Sequence, residues 1–271
     1  MRKSIFAFVL IFPLLLSGCG EGELLAEPTV PVITENTVIL PENVIQIGES
    51  FELDASQQMP ADGHFTCTVT NVWVVTEESQ CPSKEAMDEH AVAIAYVDGE
   101  CRAFEYEEWF TEGGAWDYGA RIVMVDLTVT NVDAVAWLDD GTFSSSCGFY
   151  FHDYAFASNY FVNVVDLSEL HGMKGDEYCY ADRQVYFSRK GEYIEATGLT
   201  EEEVIDSLND DNYAIMVKPG ETVSFTLGFS VDGEENGKPA DLSMRWLVVS
   251  TEHGKILKKG TFIDTKLENE A

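Results

Sequence analysis

The chain has 271 residues, 45% of them hydrophobic and 12% aromatic, a composition that suits a packed core and argues against a disordered protein. Its 48 acidic residues stand against 16 basic ones, for a net charge of −32. Phosphate binding needs clustered Lys and Arg, so nucleic acid is not an expected partner, and anionic lipid head groups would repel the folded part.

Arg2 and Lys3 form a short positive start, and an apolar run over residues 5–16 follows. The run is too short to span a bilayer and ends in small residues, which is the layout of an export signal. Leu16-Ser17-Gly18-Cys19 resembles the lipobox of bacterial lipoproteins. That resemblance implies cleavage after Gly18, a diacylglycerol on the sulfur of Cys19, and an extracytoplasmic protein held on the cell membrane by lipid. Each buried methylene contributes about 0.8 kcal/mol and one short chain binds only reversibly, so the two chains of a diacylglycerol suit lasting attachment. Residues 1–18 are therefore read as signal peptide and 19–43 as a tether. The tether carries Pro28, Pro31 and Pro41 without a helical period. At about 3.1 Å per residue it would hold a domain up to about 70 Å from the bilayer.

Residues 44–267 carry the strand patterns, and 268–271 are a tail. Two short β segments flank Gly48, and then Phe65, Cys67, Val69, Asn71, Trp73 and Val75 alternate with Thr66, Thr68 and Thr70. Residues from about 77 to 119 break this rhythm and are read as an insertion with one or two strands of its own. In 121–131, Val123, Val125, Leu127 and Val129 alternate with Met124, Asp126, Thr128 and Thr130; this β-branched run predicts a strand in the middle of a sheet. Further strands are predicted at 149–151, 160–165, 184–188, 214–217, 223–231, 242–251 and 260–266. Thr200-Glu201-Glu202-Glu203 has the form of a capping box and predicts one short helix. Lys218-Pro219-Gly220-Glu221 predicts a type II turn, because proline fixes the first central φ and glycine allows the positive second one. Many strands and few helices point to a mainly β fold, an antiparallel β-sandwich.

Besides Cys19 there are five cysteines, Cys67, Cys81, Cys101, Cys147 and Cys179, so at most two internal bridges form. The preferred pairs are Cys81 with Cys101 and Cys147 with Cys179, leaving Cys67 as a buried strand residue; other pairings, and five reduced buried thiols, stay open. A loop of about twenty residues closed by the first pair would contribute about 3 kcal/mol. There is no CxxC and no histidine at finger spacing, so structural zinc is not expected. Asp139-Asp140-Gly141 and Asn209-Asp210-Asp211-Asn212 offer oxygen ligands but lack the spacing and closing Glu of a calcium loop. No metal and no cofactor are expected.

Ile47-Gly48-Glu49-Ser50-Phe51, the Thr128-Val129-Thr130-Asn131 strand end and Lys218-Pro219-Gly220-Glu221-Thr222-Val223 together resemble a family of Gram-positive lipoproteins. These carry an immunoglobulin-like domain similar to the immunoprotective extracellular antigens of mycobacteria. The resemblance covers roughly residues 45–266 and implies an immunoglobulin-like antiparallel β-sandwich, with the insertion and the short helix added. It implies no catalytic residue.

Chemistry is sparse in the sequence. No GxSxG, HExxH or P-loop pattern occurs, and the five histidines are dispersed. The richest patch is Phe104, Tyr106, Trp109, Phe110, Trp116 and Tyr118 interleaved with acids. Exposed, Trp109, Trp116 and Tyr118 would stack on a cell-wall glycan or grip a protein; buried, they would form the core of the insertion. The expected function is a non-catalytic binding or envelope-interaction module of unknown ligand. Its rival is an envelope hydrolase using scattered carboxylates, which would require acids whose pKa values are split by burial.

Overall fold

The computed structural model describes residues 41–57, 61–75, 80, 82–90, 92, 94–97, 100–103, 121–138, 140–152, 160–167, 183–197, 212–231, 234–235, 238–239, 241–250 and 260–267. The fold is mainly β. Eleven strands make two sheets: β1 (Val44–Ile45), β2 (Ser50–Asp54), β3 (His64–Val75), β4 (Arg121–Asn131), β5 (Cys147–His152), β6 (Tyr160–Asp166), β7 (Arg183–Phe187), β8 (Asn212–Val217), β9 (Thr222–Val231), β10 (Arg245–Ser250) and β11 (Thr261–Ile263). One sheet has the order β1-β11-β10-β6-β5-β8 and the other β7-β9-β4-β3-β2. The predicted central strand is β4, third of five, with β3 and β9 antiparallel on either side.

The two inner faces share one hydrophobic core. From β4 come Val123, Val125, Leu127 and Val129; from β9 come Phe225, Leu227 and Phe229, all buried. Across the layer, Phe149 of β5 meets Phe65 of β3 edge-on at 5.4 Å, and Phe151 stacks on Phe225 at 5.6 Å. Such ring pairs contribute about 0.5–1.5 kcal/mol beyond area burial. Tyr160 is fully buried among them, and its hydroxyl donates to the Asp54 carbonyl at 2.9 Å, so the polar tip is satisfied.

Alternation in β3 does not run as the sequence suggests. The register with β4 slips between Val69 and Asn71, a β-bulge at Thr70. One extra residue reverses the faces, so Val72 and Val74 pack on the core in place of Asn71 and Trp73. Trp73 turns to the other side and its indole N–H donates to the Gln80 carbonyl at 3.4 Å.

The outer face of this sheet is divided. Toward one end it is a strip of paired hydroxyls: Ser50 with Thr68, Thr128 with Ser224 and Thr130 with Thr222, each at 2.7–2.8 Å. Toward the other end Ile122, Met124, Val75 and Tyr186 are buried. Gly228 lies there because an added Cβ would stand 2.8 Å from Tyr186 Cβ and 2.9 Å from Met124 Sδ. Between β3 and β4 the chain forms a helix, Lys84–His90, and a hairpin of Ile94–Val97 with Glu100–Ala103. His90 meets Tyr186 edge-on at 5.9 Å, and the Val92 N–H donates to the Val185 carbonyl at 2.9 Å. This part of the insertion therefore runs along the edge of β7, with Val92 in the shared core and His90 against Tyr186. Burial holds the His90 imidazole below its ordinary pKa.

Two turns are built alike. In Gln46-Ile47-Gly48-Glu49 and in Lys218-Pro219-Gly220-Glu221 the fourth N–H donates to the first carbonyl, at 3.0 and 2.8 Å. Gly48 and Gly220 hold φ of +90° and +83°, conformations that side-chain-bearing residues rarely adopt. The Glu side chain then accepts from the first N–H, at 2.8 and 2.9 Å. Each glycine N–H also docks on a neighbouring strand, Gly48 on the Val69 carbonyl and Gly220 on that of Asn131.

Several expectations are corrected. The sheets are not wholly antiparallel: β1 runs parallel to β11, and β6 parallel to β5 over two residue pairs. The predicted helix at Thr200 lies outside the described residues, and the helices seen are Lys84–His90 and Lys190–Thr197, neither foreseen. Residues 242–244 form a 3-10 turn, with Asp241 accepting from the Ser243 N–H, before β10 begins.

Cys147 was expected to bridge Cys179, but it stands as a free buried thiol, as does Cys67. Its strand turns the side chain into the shared core. Burial pushes the Cys67 thiol up to about 12 and the Cys147 thiol up to about 11, against an ordinary value of 9.0. The thiolate is the reactive form, so neither residue is expected to take iodoacetamide at pH 8 until the protein is unfolded. A folded pKa raised above the unfolded one means that the folded state keeps a proton which the unfolded chain releases. That stabilisation is complete below pH 9 and is lost as pH rises from there through the folded values. Urea midpoints should accordingly fall between pH 8 and pH 10.5, and fall less in Cys67→Ala; rapid labelling of Cys67 or Cys147 in the folded protein would contradict this.

Candidate functional site

The chain leaves β4 at Asn131 and crosses to the other sheet at β5, and the crossing carries four of the exposed large apolar side chains that the structure describes. Val132 is 53% exposed, Trp137 40%, Leu138 47% and Phe143 53%. Four such side chains in one short connection stand out in a fold whose other apolar residues are mostly inside.

Asn131 fixes where the crossing starts. It is fully buried; its amide donates to the carbonyls of Ala134 at 2.9 Å and Val217 at 2.8 Å, and its oxygen accepts the Ala134 N–H at 2.6 Å. The next contact is with residues 61–63. Ala61 and Asp62 pair with Ala136 and Val135 in a two-residue antiparallel ladder. Gly63, at φ +98°, lies so close that an added Cβ would stand 2.6 Å from the Asp133 carbonyl oxygen. Asp133 in turn accepts the His64 N–H at 2.8 Å.

Beyond Ala136 the chain folds into a hairpin. Leu138 N–H donates to Thr142 at 2.9 Å, Gly141 N–H to Leu138 at 2.9 Å and Ser144 N–H to Ala136 at 2.8 Å. Gly141 supplies the positive φ, +78°, that this tight return needs. Asp140 accepts from both the N–H and the hydroxyl of Thr142, at 2.9 and 2.6 Å, and that hydroxyl bond is the main reason its carboxyl lies below the ordinary range. Trp137 and Phe143 are bridged opposite each other, their ring centroids 4.1 Å apart with the planes tilted by 43°. The indole N–H donates to Asp62 at 2.7 Å. Turn, ring pair and indole bond thus restrain the two exposed rings before any ligand arrives, which lowers the entropy lost on binding.

A second concave feature lies beside edge strand β8. The helix Lys190–Thr197 leaves a shallow cleft of about 290 Å³ lined by Glu192, Glu195, Ala214, Ile215 and Met216. Glu192 is bound by the Arg189 guanidinium at 2.6 Å with its side chain 61% exposed. Tyr150 and Met216 are also partly exposed, and the Tyr150 ring lies directly over Gly148.

The residues singled out by the sequence fall differently. Gly18, Cys19, Cys81, Trp109, Trp116, Tyr118 and Cys179 lie outside the described residues. Cys101 is in the Glu100–Ala103 strand with Tyr96 as its backbone partner. Asp140 was considered as a calcium ligand and is instead engaged with Thr142. Among the described residues, no three His, Cys, Asp or Glu side chains gather as a metal site, and no helix is long and apolar enough to cross a membrane. Trp137 and Phe143 were not singled out. The signal for them was present in Trp137-Leu138-Asp139-Asp140-Gly141-Thr142-Phe143, where an Asp-Gly turn separates two aromatic residues, the mark of a hairpin with facing rings. Comparisons with protein-family models, with curated proteins and with solved structures gave no match to this chain.

Proposed function

We propose that the chain is a lipid-anchored extracytoplasmic binding protein, non-catalytic, whose two-sheet domain is an immunoglobulin-like sandwich held to the cell membrane through Cys19. The observation that carries the binding role is the restrained, exposed ring pair Trp137 and Phe143. An immunoglobulin-like reading is supported by two facing sheets that share one core, and by a first strand that runs parallel to the last before the chain enters the other sheet. The lipobox-like Leu16-Ser17-Gly18-Cys19 supports the anchor, and the resemblance to Gram-positive lipoproteins supports a cell-surface location. The ligand is an envelope component, a glycan or a protein.

Two measurements test this. Cys19→Ala should shift the protein from the membrane fraction to the soluble fraction; retention in the membrane would remove the lipid anchor. That soluble form should sediment with purified cell envelopes, and Trp137→Ala with Phe143→Ala should weaken the association by at least about tenfold. Unchanged sedimentation would move the binding surface elsewhere. An envelope hydrolase remains the alternative, and the Glu192–Glu195 cleft is its best described location. It would require turnover that is lost in Glu195→Gln.

A further inference from the structure

We infer that the Trp137–Phe143 hairpin binds a neutral polysaccharide, with the C–H face of a pyranose ring lying on the two aromatic side chains and its hydroxyl groups donating to the carboxylates of Asp62 and Asp140. This rests on the proposed function and names the class of ligand for that same surface.

Shape comes first. The rings lean on each other at 4.1 Å and 43° on one hairpin, and both are partly exposed to solvent. A lysine or arginine side chain gains most from aromatic faces when it is desolvated among them, and these two rings stay partly exposed to water. A pyranose needs only an open apolar face on which to lie. Extent points the same way. A stable protein partner covers about 800 Å² on each side, whereas two partly exposed rings on one hairpin offer a fraction of that.

Polar groups and charge narrow the choice further. The indole N–H is spent on Asp62, so recognition at this end falls to acceptors. Asp62 uses Oδ2 for that bond and Asp140 uses Oδ1 for both bonds to Thr142, which leaves a second oxygen on each exposed carboxylate to accept from a hydroxyl. A net charge of −32 disfavours anionic lipid, nucleic acid, acidic glycans and a second copy of this chain. A neutral polyol carries no such penalty. Each sugar contact of this kind is weak, and a surface crowded with tethered copies would strengthen attachment to a repeating polymer through effective concentration.

The test uses the full mature chain carrying Cys19→Ala, titrated with chitohexaose and cellohexaose, and separately with a decalysine peptide and with phosphatidylglycerol vesicles. At least one hexasaccharide should bind saturably with Kd at or below about 1 mM, with little dependence on salt. Trp137→Ala and Phe143→Ala should each weaken it by at least about tenfold at unchanged melting temperature, while Phe143→Tyr should retain it. Ring-dependent binding of decalysine or vesicles with none of either sugar overturns the glycan assignment and leaves the hairpin as the binding surface. Sugar binding that survives both alanine substitutions overturns the glycan assignment at this hairpin. Failure of every probe, with envelope sedimentation still ring-dependent, overturns only the ligand class. Failure of every probe with ring-independent sedimentation overturns the binding surface as well.

Discussion

Asn131→Ala is expected to lower the unfolding free energy by about 3–4 kcal/mol. The substitution removes three side-chain hydrogen bonds from a fully buried residue, taking an acceptor from the Ala134 N–H and a donor from the carbonyls of Ala134 and Val217. A typical bond contributes about 0.5–1.5 kcal/mol net, but each buried group left unsatisfied costs about 1–3 kcal/mol. Asn131→Asp should do no better, since it replaces an amide donor that serves two carbonyls with an acceptor. The corner held by Asn131 leads directly into the hairpin, so ligand binding should weaken even at temperatures where the variant remains folded. Urea unfolding followed by tryptophan fluorescence measures the first effect; a loss below about 1 kcal/mol would contradict the role given to this side chain.

Asp166→Ala is expected to cost about 3–5 kcal/mol. Asp166 at the end of β6 is the cross-strand partner of Arg245 at the start of β10, and their side chains are only 3% and 5% exposed with a charged contact of 3.5 Å. Removing one member of such a pair takes a close counterion from a charge that stays buried, and that penalty, more than the attraction itself, sets the size of the effect. Replacing both residues together, as Asp166→Leu with Arg245→Met, should be close to neutral for the same reason. Equal losses in the single and double variants would show that local packing matters more than the charge pair.

Much of the β structure was legible because periodicity decides it. In β9 every second residue is apolar, in β4 Val123, Val125, Leu127 and Val129 recur at the same period, and these are the residues that face the core. The Lys218-Pro219-Gly220-Glu221 turn was equally plain, since few tetrapeptides state their φ values so directly. Periodicity fails where one residue is inserted without changing composition. Thr70 looks like its neighbours Thr66 and Thr68, yet the bulge there sends Trp73 outward and Val72 inward. It also fails for partners distant in sequence. Parallel pairing of β1 with β11 joins residues more than two hundred positions apart and leaves no local trace.

The candidate site was less legible for a related reason. Residues 104–118 attract notice by aromatic density, whereas Trp137 and Phe143 are two rings separated by a turn. What distinguishes them is exposure, the Asp62 carboxylate brought from 75 positions away, and a glycine at 63 that lets two backbones approach. None of these is a property of the local sequence.

The central claim is that this hairpin is the working surface of the proposed binding protein. It is tested most directly by placing photoreactive benzoylphenylalanine at position 143, or at position 150 beside the β8 cleft, in the full chain expressed in living cells. Irradiation should yield covalent adducts with envelope material from position 143 and not from 150. Adducts from 150 with none from 143 would contradict the account.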